Sequence, residues 1–408
     1  MGRQPAENPI HRAIRAWSET IDPDVKGDVE GDGAAWLGRH IEAAPKRFII
    51  YRPMVQLPAG SFAQQPWAET LALAGDEARS RLWALILGEV SKRERGGPLT
   101  NLAVVEGIPL HKSDGAGGEE EENILRSPSG LRMLYGDFGP SESSSGGGSN
   151  PGAGEPGEED FDRAFWVTTK QNGLWQTWAP RWTMFSRGNV KEKARLLRYD
   201  GAAGGSAQQQ QQWAVDLYAG IGYFVFSYAA LGYRLLCWEL NPWSVEGLRR
   251  GAEANRWSVR VVQGEDLRLP MSDVLGGGER IVVFLEDNRE ALGRIRAAQE
   301  GLGVARDIRH VNCGFLPTSE PTWRMAFDMT DRTADARLHL HENVGVDDTK
   351  ARGEEIEERI GDWAAAEGGA QRRKAETEHV ELVKTYAPGV WHCVFDVRVK
   401  NASTGNII

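Results

Sequence analysis

The chain is 408 residues long, 40% hydrophobic, with 15 tryptophans and a formal net charge of −10. That length suggests two or three domains and ample apolar material for a large core. No apolar run approaches the roughly 20 residues that cross a bilayer. The start Met1-Gly2-Arg3-Gln4 has no signal-peptide core, and the widely spaced Cys237, Cys313 and Cys393 exclude a disulfide framework or a Cys-x-x-Cys metal site. A reducing, cytoplasmic compartment is expected.

In chain order, residues 1–110 hold helical patterns and are expected to form an N-terminal domain. Between Pro66 and Lys92, Leu71, Leu73, Ala78, Leu82, Leu85 and Ile86 form an apolar stripe with helical spacing. Residues 111–162 are expected to be an acidic, Gly/Ser-rich flexible insertion. From Asp114 to Asp162 twelve acidic residues face only Arg126 and Arg132, and this segment accounts for the whole charge imbalance. Its runs Glu119–Glu122 and Ser143–Gly157 hold too little apolar surface to offset the entropy of ordering. The connecting segment 163–200 has the opposite character. From Arg181 to Arg198 six basic residues face a single acid, Glu192, with Trp178, Trp182 and Phe185 interleaved or adjacent. Arginines and lysines take phosphates and aromatics stack bases, so Arg181, Trp182, Phe185, Arg187 and Lys191 are candidate RNA-binding residues. An aromatic subdomain core would use the same composition. The glutamine run Gln208–Gln212 then precedes a domain expected over 201–408.

That domain opens on Trp213-Ala214-Val215-Asp216-Leu217, an apolar strand, followed by Tyr218-Ala219-Gly220-Ile221-Gly222 and an apolar helix from Tyr223 to Leu231. Gly220 and Gly222 let backbone approach a ligand without Cβ interference. The pattern Asp-x-x-x-Gly-x-Gly is neither the Gly-x-Gly-x-x-Gly of dinucleotide folds nor a triphosphate loop with Lys-Ser/Thr. It points to S-adenosylmethionine, a nucleoside ligand without phosphate. Asp216, Tyr218, Gly220 and Gly222 are therefore candidate binding residues.

Beyond this turn, strand-like and helix-like runs alternate as a parallel sheet requires. Strands are expected at Arg234–Glu239, Ile281–Glu286, Arg309–Phe315 and Arg337–Glu342. A long helical segment over Asp347–Glu378, broken near Gly361 and Gly368, precedes two closing strands at His379–Tyr386 and Trp391–Val399. The fold expected is α/β: a seven-stranded, Rossmann-like sheet of the class I S-adenosylmethionine-dependent methyltransferase type, with a smaller N-terminal domain.

Ligands in such sheets sit at the carboxyl ends of the strands. Glu239 ends the second strand about twenty residues past the glycine turn, where an acid accepts both ribose hydroxyls. For the adenine amine, Asp287 with Asn288 follows a stronger apolar run than Glu265-Asp266 does. The helix after Gly188 places Ser186 and Lys193 over the ligand, where the ammonium would hold a methionine carboxylate. His339 and His341 share a strand face but lack companion ligands, so no metal is expected. The stretch from Asn312 to Pro317 departs from the Asn/Asp-Pro-Pro-aromatic signature of amine methyltransferases, which argues against an exocyclic amine acceptor.

Together these stretches resemble the wybutosine-synthesizing aminocarboxypropyltransferases, relatives of the archaeal-type tRNA guanine-N1 methyltransferases. The resemblance is carried by Ala179–Asn189 with Glu192-Lys193, by Asp216–Phe224 and by Glu239-Leu240-Asn241-Pro242. It continues through Glu286–Arg289, His310–Ser319 with Trp323, His341-Glu342-Asn343 and Lys384–His392. It spans about Phe165 to Lys400 and is weaker in the N-terminal part. The insertions depart from the family pattern and leave its motifs intact.

The resemblance implies that Ser186, Lys193, Glu239, Asp287 and Asn288 bind S-adenosylmethionine as co-substrate. It implies transfer of the 3-amino-3-carboxypropyl group to carbon 7 of 4-demethylwyosine, beside the anticodon of phenylalanine tRNA, with release of methylthioadenosine. No metal, membrane or obligate protein partner is implied. The group that removes the ring proton is left open, with His310 and Asn312 as candidates. A tRNA guanine-N1 methyltransferase using the same pocket, or a non-catalytic RNA-binding relic, are the competing readings. The first expects Asn-Leu-Pro-Pro where Asn312-Cys313-Gly314-Phe315-Leu316-Pro317 stands; the second expects decay of ligand residues that are all present.

Overall fold

A computed structural model describes residues 7–26, 33–106, 111–112, 121–123, 125, 128, 130–141, 156–199, 212–333, 335–366 and 373–401. The expected insertions at Glu119–Glu122 and Ser143–Gly157, and the glutamine run Gln208–Gln212, lie largely outside these residues. The chain divides into two compact units, Met1–Thr169 with Trp178–Met184, and Lys170–Thr177 with Phe185–Ile408.

In the first unit, Asn8 accepts the Ile10 N–H at 2.9 Å and proline fills the first position of the helix Pro9–Ser18, where no amide donor is needed. Ile10, Ala13, Ile14 and Trp17 recur at helical spacing and are fully buried. They meet the helix Asp76–Ser91 through Leu82, Ile86 and Val90 in one apolar cluster. The single helix expected over Pro66–Lys92 is two, Trp67–Leu73 and Asp76–Ser91. Ala74 leaves helical geometry with ψ 120° and Gly75 is extended, so the helical ladder restarts at Asp76. A four-stranded sheet runs in the order Ile49–Tyr51, Met54–Leu57, Asn101–Val105, Leu131–Tyr135. Its last strand lies in the segment expected to be a flexible insertion; it pairs antiparallel with Asn101–Val105.

The second unit is built on an eight-stranded sheet. In chain order its strands are β1 (Trp213–Asp216), β2 (Arg234–Glu239), β3 (Val259–Val262), β4 (Ile281–Leu285), β5 (Ile308–Cys313), β6 (Asp335–Gly345), β7 (Arg373–Ala387) and β8 (Val390–Asn401). Their spatial order is β3-β4-β2-β1-β5-β6-β8-β7. The seven expected strands are all there. The eighth, β3, joins the edge parallel to β4, because three of the four residues in Val259-Arg260-Val261-Val262 are β-branched valines and the run precedes a turn at Gly264. β1 is buried throughout, as a central strand covered on both faces must be. The chain leaves β1 toward β2 on one side and returns to β5 on the other, which opens a crevice at the carboxyl ends of these strands.

The long helical segment expected to Glu378 is shorter. The helix Thr349–Ala366 passes through Gly361 without a break, and β7 begins at Arg373. Tertiary packing overrides the glycine: Ile356, Ile360 and Ala364 are anchored in the core. β7 and β8 form the terminal antiparallel hairpin, turning at Pro388 and Gly389, whose φ is 73°.

Candidate functional site

The glycine turn is shaped by backbone conformations that side chains rarely adopt. Gly220 has φ 53° and Gly222 has φ 87°. A Cβ on Gly222 would lie 2.6 Å from the Phe226 ring, so only glycine fits there. Glu239 holds the turn from β2. Its Oε2 accepts the Gly220 N–H at 2.8 Å and its Oε1 accepts the Asn241 N–H at 2.9 Å. Burial pushes its carboxyl up while these amides pull it down. Each oxygen keeps a second lone pair, so two hydroxyls of a ribose fit this carboxylate.

Asp216, the last residue of β1, and Asn312, the next to last of β5, stand in register, and both are fully buried. Asn312 Nδ2 donates to Asp216 Oδ1 at 3.1 Å. Asp216 Oδ2 and Asn312 Oδ1 have no hydrogen-bond partner. Burial pushes the Asp216 carboxyl up to about 7, and the Glu239 charge adds to the shift. Buried polar atoms left unpaired are costly, which fits atoms kept for a ligand.

At the end of β4, Asn288 Nδ2 donates to the Leu217 carbonyl at 2.9 Å and ties this loop to the glycine turn. Asp287 accepts the Arg289 N–H at 2.9 Å, and its side chain is 46% exposed, open to an amine donor. Tyr218 stacks on Phe315, with centroids 5.0 Å apart and planes at 25°, making an aromatic wall beside it.

Ser186 and Lys193 come from the segment before β1. Lys193, on the helix Val190–Leu196, is 3% exposed. Its ammonium donates to Gln171 Oε1 at 2.5 Å and Gln176 Oε1 at 2.7 Å, and lies 5.2 Å from the Phe185 ring centroid and 5.8 Å from that of Tyr223. No carboxylate pairs with it among the described residues, and burial pulls its pKa down to about 7. An ammonium has three donors and two are used on neutral amides. Ser186 donates its N–H to the Tyr223 hydroxyl at 3.0 Å, and its Oγ accepts from Lys384 at 3.0 Å. Gln171, Gln176, Tyr223 and Lys384 escape sequence reading; Lys384 stands in a motif stretch, but only strand pairing brings it to Ser186.

The other candidates are more dispersed. Arg181 and Trp182 belong to the first unit, and Phe185, Arg187 and Lys191 to the second. Arg187 and Lys191 are exposed, whereas Trp182 is buried and Phe185 stacks on Tyr223 at 6.1 Å. Arg181 donates to the Gly139 carbonyl at 3.2 Å. The basic run is thus not one solvated face, since Arg195 also turns inward between Glu192 and Asp396.

His310 sits below the crevice. A buried chain runs from the Tyr233 hydroxyl to His310 Nε2 (3.3 Å), from His310 Nδ1 to His339 Nε2 (2.9 Å), and from His339 Nδ1 to Asp396 Oδ1 (2.6 Å). The Asp396 carboxylate accepts only, so His339 Nδ1 is the donor in the contact between them. Both His310 nitrogens are therefore engaged. One step nearer the strand ends, His341 Nδ1 meets His392 Nε2 at 2.9 Å, and their outer nitrogens, His341 Nε2 and His392 Nδ1, are unpartnered. Burial holds both imidazoles neutral, His392 at about 3. The loop after β5 is pinned to β6 by Glu342, whose Oε1 accepts from Thr318 Oγ1 at 2.8 Å and from the Ser319 N–H at 2.9 Å.

Among the described residues no helix is long and apolar enough to cross a membrane, and no group of three or more His, Cys, Asp or Glu side chains is placed to hold a metal. Scanned against models of known protein families, the chain matches none. It is 35% identical over 356 residues to tRNA wybutosine-synthesizing protein 2 of Schizosaccharomyces pombe, covering 86% of this chain and 72% of the relative. It is 31% identical over 417 residues to the protein of the same name from Saccharomyces cerevisiae, covering 95% and 82%. Among solved structures, P. horikoshii TYW2 in complex with MeSAdo aligns with a TM-score of 0.56 at 15% identity, over 96% of this chain and all of that one. Trm5b from Pyrococcus abyssi aligns with a TM-score of 0.50 at 13% identity, over 98% and 82%. These two likenesses establish the fold. With two relatives above 30% identity along most of both chains, this protein belongs to the tRNA wybutosine-synthesizing protein 2 family.

Proposed function

We propose that this chain is an S-adenosylmethionine-dependent transferase that moves the 3-amino-3-carboxypropyl group onto carbon 7 of 4-demethylwyosine in phenylalanine tRNA, next to the anticodon, in wybutosine synthesis. The observation that carries the reading is Lys193. A buried ammonium partnered by two neutral amides, beside the glycine turn, is a receptor for a small anion. The carboxylate of a methionine tail is such an anion, and its nucleoside end meets Glu239, Asp287 and Asn288.

The sulfonium supplies three electrophilic carbons, and the one aligned with the nucleophile at about 3 to 3.5 Å reacts. The protein's task is therefore orientation. Lys193 and Ser186 grip the tail, Glu239 and Asp287 grip the adenosine, and the crevice between β1 and β5 fixes the sulfur between them. The new bond joins the acceptor ring carbon to the tail's γ-carbon, the sulfur keeps the electron pair of the broken C–S bond, and methylthioadenosine leaves. The ring then loses its proton. Asn312 carries no basic nitrogen and His310 has both nitrogens engaged, so neither fits that role. Arg187 and Lys191, exposed beside the site, suit phosphate contacts to the tRNA.

The test is incubation with hypomodified tRNA and S-adenosylmethionine labelled separately in the methyl and the carboxyl carbon. Carboxyl label is expected in the tRNA. Methyl label alone in the tRNA would indicate a methyltransferase, and binding without any transfer a relic pocket.

A further inference from the structure

We infer that Lys384 is a second cation for the carboxylate of the S-adenosylmethionine tail, acting with Ser186 and Lys193 to fix which carbon is presented. The inference rests on the S-adenosylmethionine reading of the pocket and concerns a residue to which the resemblance assigns no part in holding the co-substrate.

Lys384 reaches the site from β7, 198 positions beyond Ser186, and its ammonium donates to Ser186 Oγ at 3.0 Å. One of its three donors is thereby used. No carboxylate pairs with it among the described residues; burial alone pulls its pKa down. Its cross-strand neighbour on β8 is His392, which is neutral. Lys384 is thus a half-buried cation with a single neutral partner, as Lys193 is a buried one with only neutral partners.

The two lysines converge on one group of residues. Lys193 lies over the rings of Phe185 and Tyr223, Tyr223 accepts the Ser186 N–H, and Ser186 Oγ takes the Lys384 ammonium. The chain also makes room for this arrangement. A Cβ on Gly188 would collide with Lys384 Cδ, so the glycine two residues after Ser186 is where the lysine stem passes. Gly188 has no positive φ to explain it, which leaves close approach as its reason. Held by cations from two separate elements, a carboxylate is fixed in direction as well as position. That direction sets which sulfonium carbon faces the acceptor.

A tRNA phosphate offers the same anionic oxygen chemistry, and the test separates the two. The full-length Lys384→Met variant keeps an unbranched stem over Gly188 and loses the charge. Calorimetry is run with S-adenosylmethionine, with its decarboxylated analogue and with methylthioadenosine, and tRNA affinity is measured by fluorescence anisotropy. Lys384→Met is expected to weaken S-adenosylmethionine about ten- to hundredfold and to leave the other two ligands within about twofold. Gly188→Ala, which displaces the lysine without removing it, is expected to give the same ligand-selective loss, smaller in size. Equal loss for all three ligands, no loss for any, or a loss confined to tRNA would overturn the inference. Failure of the wild-type chain to bind any adenosyl ligand would sink the pocket reading itself.

Discussion

Asn312 Nδ2 donates to Asp216 Oδ1 at 3.1 Å, joining the ends of the two strands between which the sheet reverses its order. The bond uses half of each group and leaves the outer oxygen of each unpaired. Such a pair costs stability in the empty protein and is compensated when a ligand donor arrives. The proposed binding crevice is therefore a place where folding and ligand affinity oppose one another.

Asp216 makes that opposition measurable through pH. Burial first, and then the Glu239 charge, push its carboxyl up to about 7. The folded protein thus keeps a proton on Asp216 in a range where the unfolded chain, titrating near about 4, has lost it. The stability from this group is full below the unfolded value and is lost as pH rises to about 7. Asp216→Asn should therefore unfold at higher urea than wild type at pH 8, by on the order of 2 to 4 kcal/mol, with the gap closing toward pH 4. Parallel pH profiles for the two proteins would show that Asp216 is not proton-bound in the fold.

Lys193 predicts a linked proton on binding. Its pKa is pulled down to about 7, so at pH 8 most of the empty protein carries a neutral amine. A carboxylate ligand favours the charged form, and binding should take up a proton. The apparent calorimetric enthalpy of S-adenosylhomocysteine binding at pH 8 should then vary with the ionisation enthalpy of the buffer. Above pH 7 affinity should fall by up to about tenfold per pH unit. In Lys193→Met both effects should disappear. An unchanged proton count in that variant would assign the uptake to Asp216.

What the chain discloses before folding depends on how local each contact is. The glycine turn, Glu239 and Asp287-Asn288 are legible because strand-to-helix turns write their function in consecutive residues and strand ends recur at predictable spacing. Lys193 is legible as a charge beside a motif, but its burial is not, because the amides that hold it belong to Gln171 and Gln176, 22 and 17 residues upstream. Lys384 and His392 are placed by the register of β7 and β8, which no local pattern encodes. The helix through Gly361 and the break at Ala74-Gly75 depart from expectation in opposite directions: packing of Ile356 and Ile360 outweighs a glycine, while extended backbone at Ala74 and Gly75 interrupts the ladder although the helices on both sides enter one core.

Glu239 should act on the nucleoside and not on the tail. Both of its oxygens already hold backbone amides, so Glu239→Ala removes the proposed ribose acceptors and loosens Gly220 together. The expected cost is about 1.5 to 3 kcal/mol in S-adenosylmethionine affinity, with an equal cost for methylthioadenosine. Calorimetry with both ligands checks this. A penalty seen only with the full co-substrate would move Glu239 from the ribose to the tail.

Asp396 should stabilise the helix that presents Lys193. Burial alone would raise its carboxyl, but His339 at 2.6 Å and Arg195 at 2.5 Å override it and hold the carboxyl far below the usual range. Arg195 lies on the same helix as Lys193 and also pairs with Glu192, so this buried cluster fastens the helix to β8. Removing one partner strands the other charges, and Asp396→Ala should cost about 3 to 5 kcal/mol in urea unfolding at pH 7. A depressed acid contributes stability that is present above its unfolded pKa and lost as pH falls toward its folded value. The gap between wild type and variant should hold from pH 8 to about 5 and narrow below about 4. Because the helix carries Lys193, the variant should also bind S-adenosylmethionine less tightly while methylthioadenosine binding is spared. Equal weakening of both ligands would mean that the cluster supports the whole crevice instead of the tail site.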